Sequence, residues 1–164
     1  MNTLALFPEK RDGAGDRDTW ATPQALFDQL DRTLGPFTLD ACAFPQNAKC
    51  KRFYTPTDDG LVQPWHEDAA GGVTWCNPPF NELERWTRKA WRESLRGGRS
   101  VVLLPANRTD QEWFHRYVVN VAAVSFLRGR TAFVPPPGVR ASSPAFACLL
   151  ALYGATATPA VGGV

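Results

Sequence analysis

The 164-residue sequence predicts an α/β fold built on a mostly parallel sheet with an antiparallel hairpin at one edge. Short apolar runs alternate with stretches of helical period from Trp20 onward, which is the pattern of parallel strands joined by crossover helices. Toward the C-terminus the runs are separated only by a turn and a proline-rich loop, which brings neighbouring strands together in antiparallel fashion. The composition, 44% hydrophobic and 21% charged, is that of one ordinary globular domain with enough chain for a single core.

Residues 1–18 are polar, carry the charged stretch from Glu9 to Asp18, and read as a flexible tail before a domain at 19–153. Thr22-Pro23 places a hydroxyl and a proline at a helix start, and Leu26, Phe27, Leu30 and Leu34 follow at helical spacing until Gly35-Pro36. Phe37 to Ala41 reads as a buried strand with an acid near its end, and residues 42–72, rich in Pro, Asp, Asn and Gly, as a long irregular segment. Val73 to Cys76 is a second strand, stopped by Asn77-Pro78-Pro79-Phe80. Leu83, Trp86, Ala90 and Leu95 then mark a helix that runs to Gly97-Gly98, and Ser100 to Pro105 a fully buried strand. Thr109-Asp110 can cap a helix carrying Trp113, Phe114, Tyr117 and Val118. Ala122 to Leu127 is the next strand, Arg128-Gly129-Arg130 a turn into Thr131 to Val134, and Ala145 to Tyr153 the last strand, before a frayed end at 154–164.

Eighteen Lys and Arg against sixteen Asp and Glu give a net charge of +2, so any nucleic-acid affinity must come from a local patch. The first residues lack a basic n-region and a long apolar run, and no stretch reaches the roughly 18 apolar residues of a membrane span, so a soluble cytoplasmic protein is expected. Cys42, Cys50, Cys76 and Cys148 are separated by 7, 25 and 71 residues, without metal-ligand spacing, and read as free thiols. His66 and His115 are isolated.

Asn77-Pro78-Pro79-Phe80 sits just after an apolar strand, where open α/β sheets place their ligands. An exocyclic purine amine is a poor nucleophile because its lone pair is delocalised into the ring. Two acceptors, the Asn77 amide oxygen and the Pro78 carbonyl, could hold its hydrogens and favour attack on a methyl donor, with Pro79 stiffening the loop and Phe80 stacking on an extruded base. A plain strand-ending turn would use the same residues. Asp-Thr-Trp-Ala-Thr-Pro at 18–23, Leu39-Asp40-Ala41-Cys42-Ala43, Asn47-Ala48-Lys49-Cys50, Asp59-Gly60-Leu61 with Trp65, and Phe126-Leu127-Arg128-Gly129-Arg130 with Phe133 stand in order around it. In these segments the chain resembles the Dam-type DNA adenine N6-methyltransferases of bacteriophages, over residues 18 to about 153.

The resemblance implies a Rossmann-like class I methyltransferase fold, S-adenosylmethionine as methyl donor, double-stranded DNA as substrate, no metal, and a monomer or weak dimer. It implies cofactor contacts at Trp20, Thr22, Pro23, Asp40, Ala41, Cys42 and Asn77, although Thr22 could be a helix cap and Asp40 a strand-end cap. The family's usual glycine-rich turn is missing, since Phe44-Pro45-Gln46-Asn47 holds no glycine, and no clear second or third strand lies between Cys42 and Gly72. A shortened sheet is therefore expected, with Asp58 or Asp59 and Trp65 making the adenosine contacts, though Asp58-Asp59-Gly60 is also a good turn without a ligand. Arg128 and Arg130 are the expected DNA contacts, against the alternative of a solvated turn. A protein-glutamine N5-methyltransferase would meet the same amine chemistry, and an inactive nucleic-acid-binding module would keep the fold without turnover.

Overall fold

The computed structural model describes residues 20–140 and 146–154. The expected tail at 1–18, residues 155–164 of the expected frayed end, and residues 141–145 of the proline-rich loop lie outside the described residues. Helix α1 (Gln24–Leu34) buries Phe27 and Leu30. It ends where the Gly35 amide donates to the Asp31 carbonyl at 2.9 Å, and Asp31 Oδ1 accepts the Phe37 amide at 2.6 Å, so the chain passes directly into β1 (Phe37–Asp40). There follow β2 (Arg52–Phe53), α2 (Trp65–Asp68), β3 (Val73–Cys76), α3 (Leu83–Leu95), β4 (Ser100–Pro105), a 3-10 turn at Ala106–Arg108, α4 (Glu112–Tyr117), β5 (Ala123–Phe126) and β6 (Cys148–Tyr153).

The six strands lie in the order β2-β1-β3-β4-β6-β5. The first four are mutually parallel, and β6 is antiparallel to both β4 and β5. β6 alone among these strands is reversed, giving the shortened, mostly parallel sheet with an antiparallel edge pair. The pair forms differently from the simplest reading of the Arg128-Gly129-Arg130 turn. Thr131 to Val134 is not a strand; its one β-type pairing among the described residues is an isolated bridge from Val134 to Ala21, and β5 pairs with β6 instead. The apolar run of β6, buried at every position, outcompetes the short segment 131–134 for that edge. The segment 42–72 is also less irregular than its composition indicates, because Arg52 and Phe53 add two parallel residues beside Leu39 and Asp40, and α2 adds one turn.

Alternation along the strands divides the core between the two faces of the sheet. On one, Phe27 of α1 packs edge-on to Trp75 with ring centroids 5.6 Å apart, above Val101, Leu103 and Leu150. On the other, α3 and α4 cover Leu39, Val102, Leu104 and Leu149 with Trp86, Ala90 and Phe114. Each fully buried Leu or Val contributes about 1.5–3 kcal/mol. β3, β4 and β6 are buried throughout, as expected for central strands covered on both faces.

Candidate active site

From β1 the chain proceeds to a neighbour on one side of the sheet and from β3 to a neighbour on the other. Such a divergence opens a crevice beyond the carboxyl ends of the strands. A cavity of about 290 Å³ lies there, lined by Asp40, Ala41 and Cys42 after β1, by Asn77 and Pro79 after β3, and by Trp20 and Thr22 from the chain before α1. Two contacts hold that preceding chain in place. Ala21 and Val134 exchange backbone hydrogen bonds of 2.9 Å in both directions, and Asn77 Nδ2 donates to the Trp20 carbonyl at 3.3 Å. The donor end of the Asn77 amide is thereby engaged by backbone, which leaves its acceptor end, Oδ1, for a substrate amine.

Asp40 is 2% exposed. Its carboxylate accepts the Lys49 amide at 3.0 Å and the Cys42 amide at 3.3 Å, yet burial outweighs these bonds and raises its pKa to about 7. The Lys49 ammonium, whose Nζ donates to Gln24 Oε1 at 2.9 Å, offsets only part of this through its charge, and burial lowers the lysine pKa as well. A buried acid facing a cavity in this state is complementary to a cationic ligand. Thr22 is 2% exposed, and its Oγ1 has no partner among the described residues. α1 has no side-chain cap hydrogen bond, so the capping alternative for Thr22 is not realised.

None of the four cysteines is in a disulfide, with Cys76 and Cys148 buried and Cys42 and Cys50 half-buried. Burial holds the Cys76 thiol well above its ordinary pKa and pushes Cys50 up to about 12, so neither supplies a thiolate nucleophile at neutral pH. No group of three His, Cys, Asp or Glu side chains among the described residues could hold a metal ion.

The remaining expected site residues are dispersed. Pro78 is buried away from the cavity lining, and Phe80 is half-buried with its ring 6.0 Å from that of Phe133 and 5.7 Å from that of Phe146. Pro23 lines a second groove, between α1 and the segment after β5, instead of the first cavity. Arg128 and Arg130 are exposed on the rim of that groove, flanking Gly129, whose φ of 76° forms the turn. Asp59 lines the cavity and accepts the Leu61 amide at 3.2 Å, whereas Asp58 is an exposed turn residue bonded to Thr55. Trp65 departs from its expected adenosine contact. It is 1% exposed, outside the cavity lining, stacks on Trp86, and donates from Nε1 to the Gly60 carbonyl at 2.6 Å.

Several residues of the cavity wall escape a reading of local sequence, Gly60 and Trp86 among them. Gly60 is there because a Cβ would collide with the Ala41 carbonyl oxygen, a contact across the fold that no turn rule reveals. Trp86 lines the cavity although its spacing from Leu83 and Ala90 reads as plain core. The only signal for it is that a buried Trp carries an N–H in need of a partner. The basic side of α3 is largely paired, Arg85 with Glu82 at 2.5 Å, Lys89 with Glu93 at 2.7 Å and Arg96 with Glu67 at 2.6 Å. No helix among the described residues is long and apolar enough to cross a membrane.

The family model for DNA N-6-adenine-methyltransferase (Dam) matches residues 11–160. The DNA N-6-adenine-methyltransferase of Haemophilus phage HP1 is 30% identical over 113 residues, 68% of this chain and 63% of that protein. The protein of the same description from Escherichia phage T1 is 28% identical over 111 residues, 68% of this chain and 45% of that protein. The chain thus aligns with less than two thirds of the length of either relative.

Proposed function

Because the chain belongs to the Dam family of DNA N-6-adenine-methyltransferases, we propose that it transfers a methyl group from S-adenosylmethionine to N6 of adenine in double-stranded DNA. The observation that carries this reading is Asn77, held at the end of β3 by the Trp20 carbonyl and lining the same cavity as the buried acid Asp40. When bound, the methyl donor supplies an electrophilic methyl on a sulfonium. Asp40 would receive its ammonium or a ribose hydroxyl, and Thr22 Oγ1 and Trp20 Nε1 would offer buried polar atoms that have no hydrogen-bond partner among the described residues.

Asn77 Oδ1 accepts a hydrogen of the target amine, which concentrates electron density on N6 as the new carbon–nitrogen bond forms, while Pro78, buried outside the cavity lining, stiffens the turn that holds Asn77 in place. A methyl donor held by Asp40, Thr22 and Trp20 would supply its methyl to N6 and depart as a neutral thioether, with the N6 proton released to solvent. The displacement is direct, consistent with thiols that burial keeps protonated. Phe80, clustered with Phe133 and Phe146, offers the stacking face for the extruded base, and the exposed Arg128 and Arg130 reach the duplex.

Incubation with tritiated S-adenosylmethionine and unmethylated duplex, followed by nucleoside chromatography, tests the reading. Label co-migrating with N6-methyldeoxyadenosine is expected. Label on another base or on protein glutamine, or cofactor binding without transfer to DNA, overturns it.

A further inference from the structure

Four buried side-chain polar atoms have no hydrogen-bond partner among the described residues: Trp20 Nε1, Thr22 Oγ1, Trp86 Nε1 and Ser100 Oγ. Protein interiors pair nearly all such groups. Three of the four belong to residues lining the first cavity, so the missing partners concentrate where a ligand would sit. Trp20 and Thr22 were expected at the cofactor from the sequence. Trp86 was not.

The Trp86 side chain is set by packing on two sides. Its ring stacks on Trp65 with centroids 6.1 Å apart and planes inclined by 26°, and its Cη2 would lie 3.2 Å from a Cβ added at Gly60. Trp86 is 6% exposed. An indole N–H can only donate, which excludes a sulfonium, an ammonium or an exocyclic amine as the group it meets. A carboxylate is a poor match too, because the nearby Arg85 is already paired with Glu82 and Trp86 brings no charge of its own. A neutral acceptor on a flat aromatic ring suits a wall made of Trp86, Gly60 and Leu61.

We infer that Trp86 Nε1 donates a hydrogen bond to a ring nitrogen of the adenine in the methyl donor, making Trp86 the residue that recognises the nucleoside half. This rests on the methyl-donor site proposed above. The interaction is independent of the chemical step and therefore persists in the product, S-adenosylhomocysteine.

The test is calorimetric titration of S-adenosylhomocysteine and its 1-deaza, 3-deaza and 7-deaza analogues into wild type and Trp86→Phe, which keeps a ring against Trp65 but lacks the N–H. Wild type should bind one of the three analogues about tenfold more weakly than the parent, and Trp86→Phe should bind the parent about tenfold more weakly while losing that discrimination. Equal affinity of wild type for all four ligands overturns the inference without any need for the variant to fold. So does a deaza penalty of the same size in both proteins. Failure of wild type to bind S-adenosylhomocysteine at all removes the methyl-donor site itself, a result distinguishable from loss of the Trp86 contact alone.

Discussion

Replacing Asp40 by Asn should remove a pH dependence of stability that the buried carboxyl imposes on the unliganded protein. The carboxyl titrates at about 7 in the folded chain and near 3.8 when unfolded, because burial disfavours its charged form. Between those values the folded protein holds a proton that the unfolded chain has lost, so stability is highest in acid and falls as pH rises through the folded pKa. Over the whole interval the effect is about 4 kcal/mol. From about pH 5.5 to about pH 8.5, which spans only the upper part of the titration, it is about 2 kcal/mol, or about 4–8 °C in Tm for a chain of this size. The carboxyl is 2% exposed, so solvent screening does little to reduce it. Thermal unfolding followed by circular dichroism across this range should show wild type losing stability relative to Asp40→Asn. The variant gives up one of the two backbone bonds from Lys49 and Cys42, which lowers its stability at every pH but leaves the slope comparison intact. Parallel pH profiles in the two proteins would refute the reasoning.

Asn77→Ala should lower single-turnover methylation about a hundredfold or more while leaving S-adenosylhomocysteine affinity near wild type, since the lost acceptor acts on the amine; a wild-type rate removes Asn77 from the chemistry. Gly60→Ala should destabilise the protein by about 1–3 kcal/mol in urea unfolding, because its Cβ meets the Ala41 carbonyl, and an unchanged midpoint would show that the loop yields freely. Arg128→Ala should weaken binding to target and scrambled duplexes alike and reduce the log–log salt slope by about one, whereas Arg130→Ala should cost about 1–3 kcal/mol on the preferred sequence only. Two variants identical to wild type in titrations at several salt concentrations would place that turn in solvent.

The elements that could be read from the sequence are those whose signal is local. Leu26, Phe27, Leu30 and Leu34 declare α1, and the mainly apolar runs of β3, β4 and β6 declare strands buried on both faces. Asn77 was legible for the same reason, since a strand followed by two prolines locates it at a carboxyl end. Elements decided by distant partners were not legible. Arg52 and Phe53 form β2 only because Leu39 and Asp40 lie beside them, and a two-residue strand has no periodicity to detect. Thr131 to Val134 has strand-like residues but loses the edge to β6, a competition invisible in the segment itself. Trp65 and Trp86 illustrate the same limit at the site. Of two tryptophans of similar burial, Trp65 donates its Nε1 hydrogen to the Gly60 carbonyl, whereas Trp86 Nε1 has no partner among the described residues.

The position of β6 has a consequence for how the chain matures during synthesis. It is the last of the described strands to be synthesised, yet it occupies the interior of the sheet, with six residues paired to β4 and four to β5. While translation is under way, β4 presents an unpaired apolar edge on that side, and β5 has no neighbour to dock against. Closing the long connection from Pro105 to Cys148 carries an entropic cost that only the finished strand can offset. Chains stalled on the ribosome before residue 148 should therefore be the aggregation-prone population in a cell, and codon choice over the stretch from β4 to β6 should affect yield more than an equal change earlier in the gene.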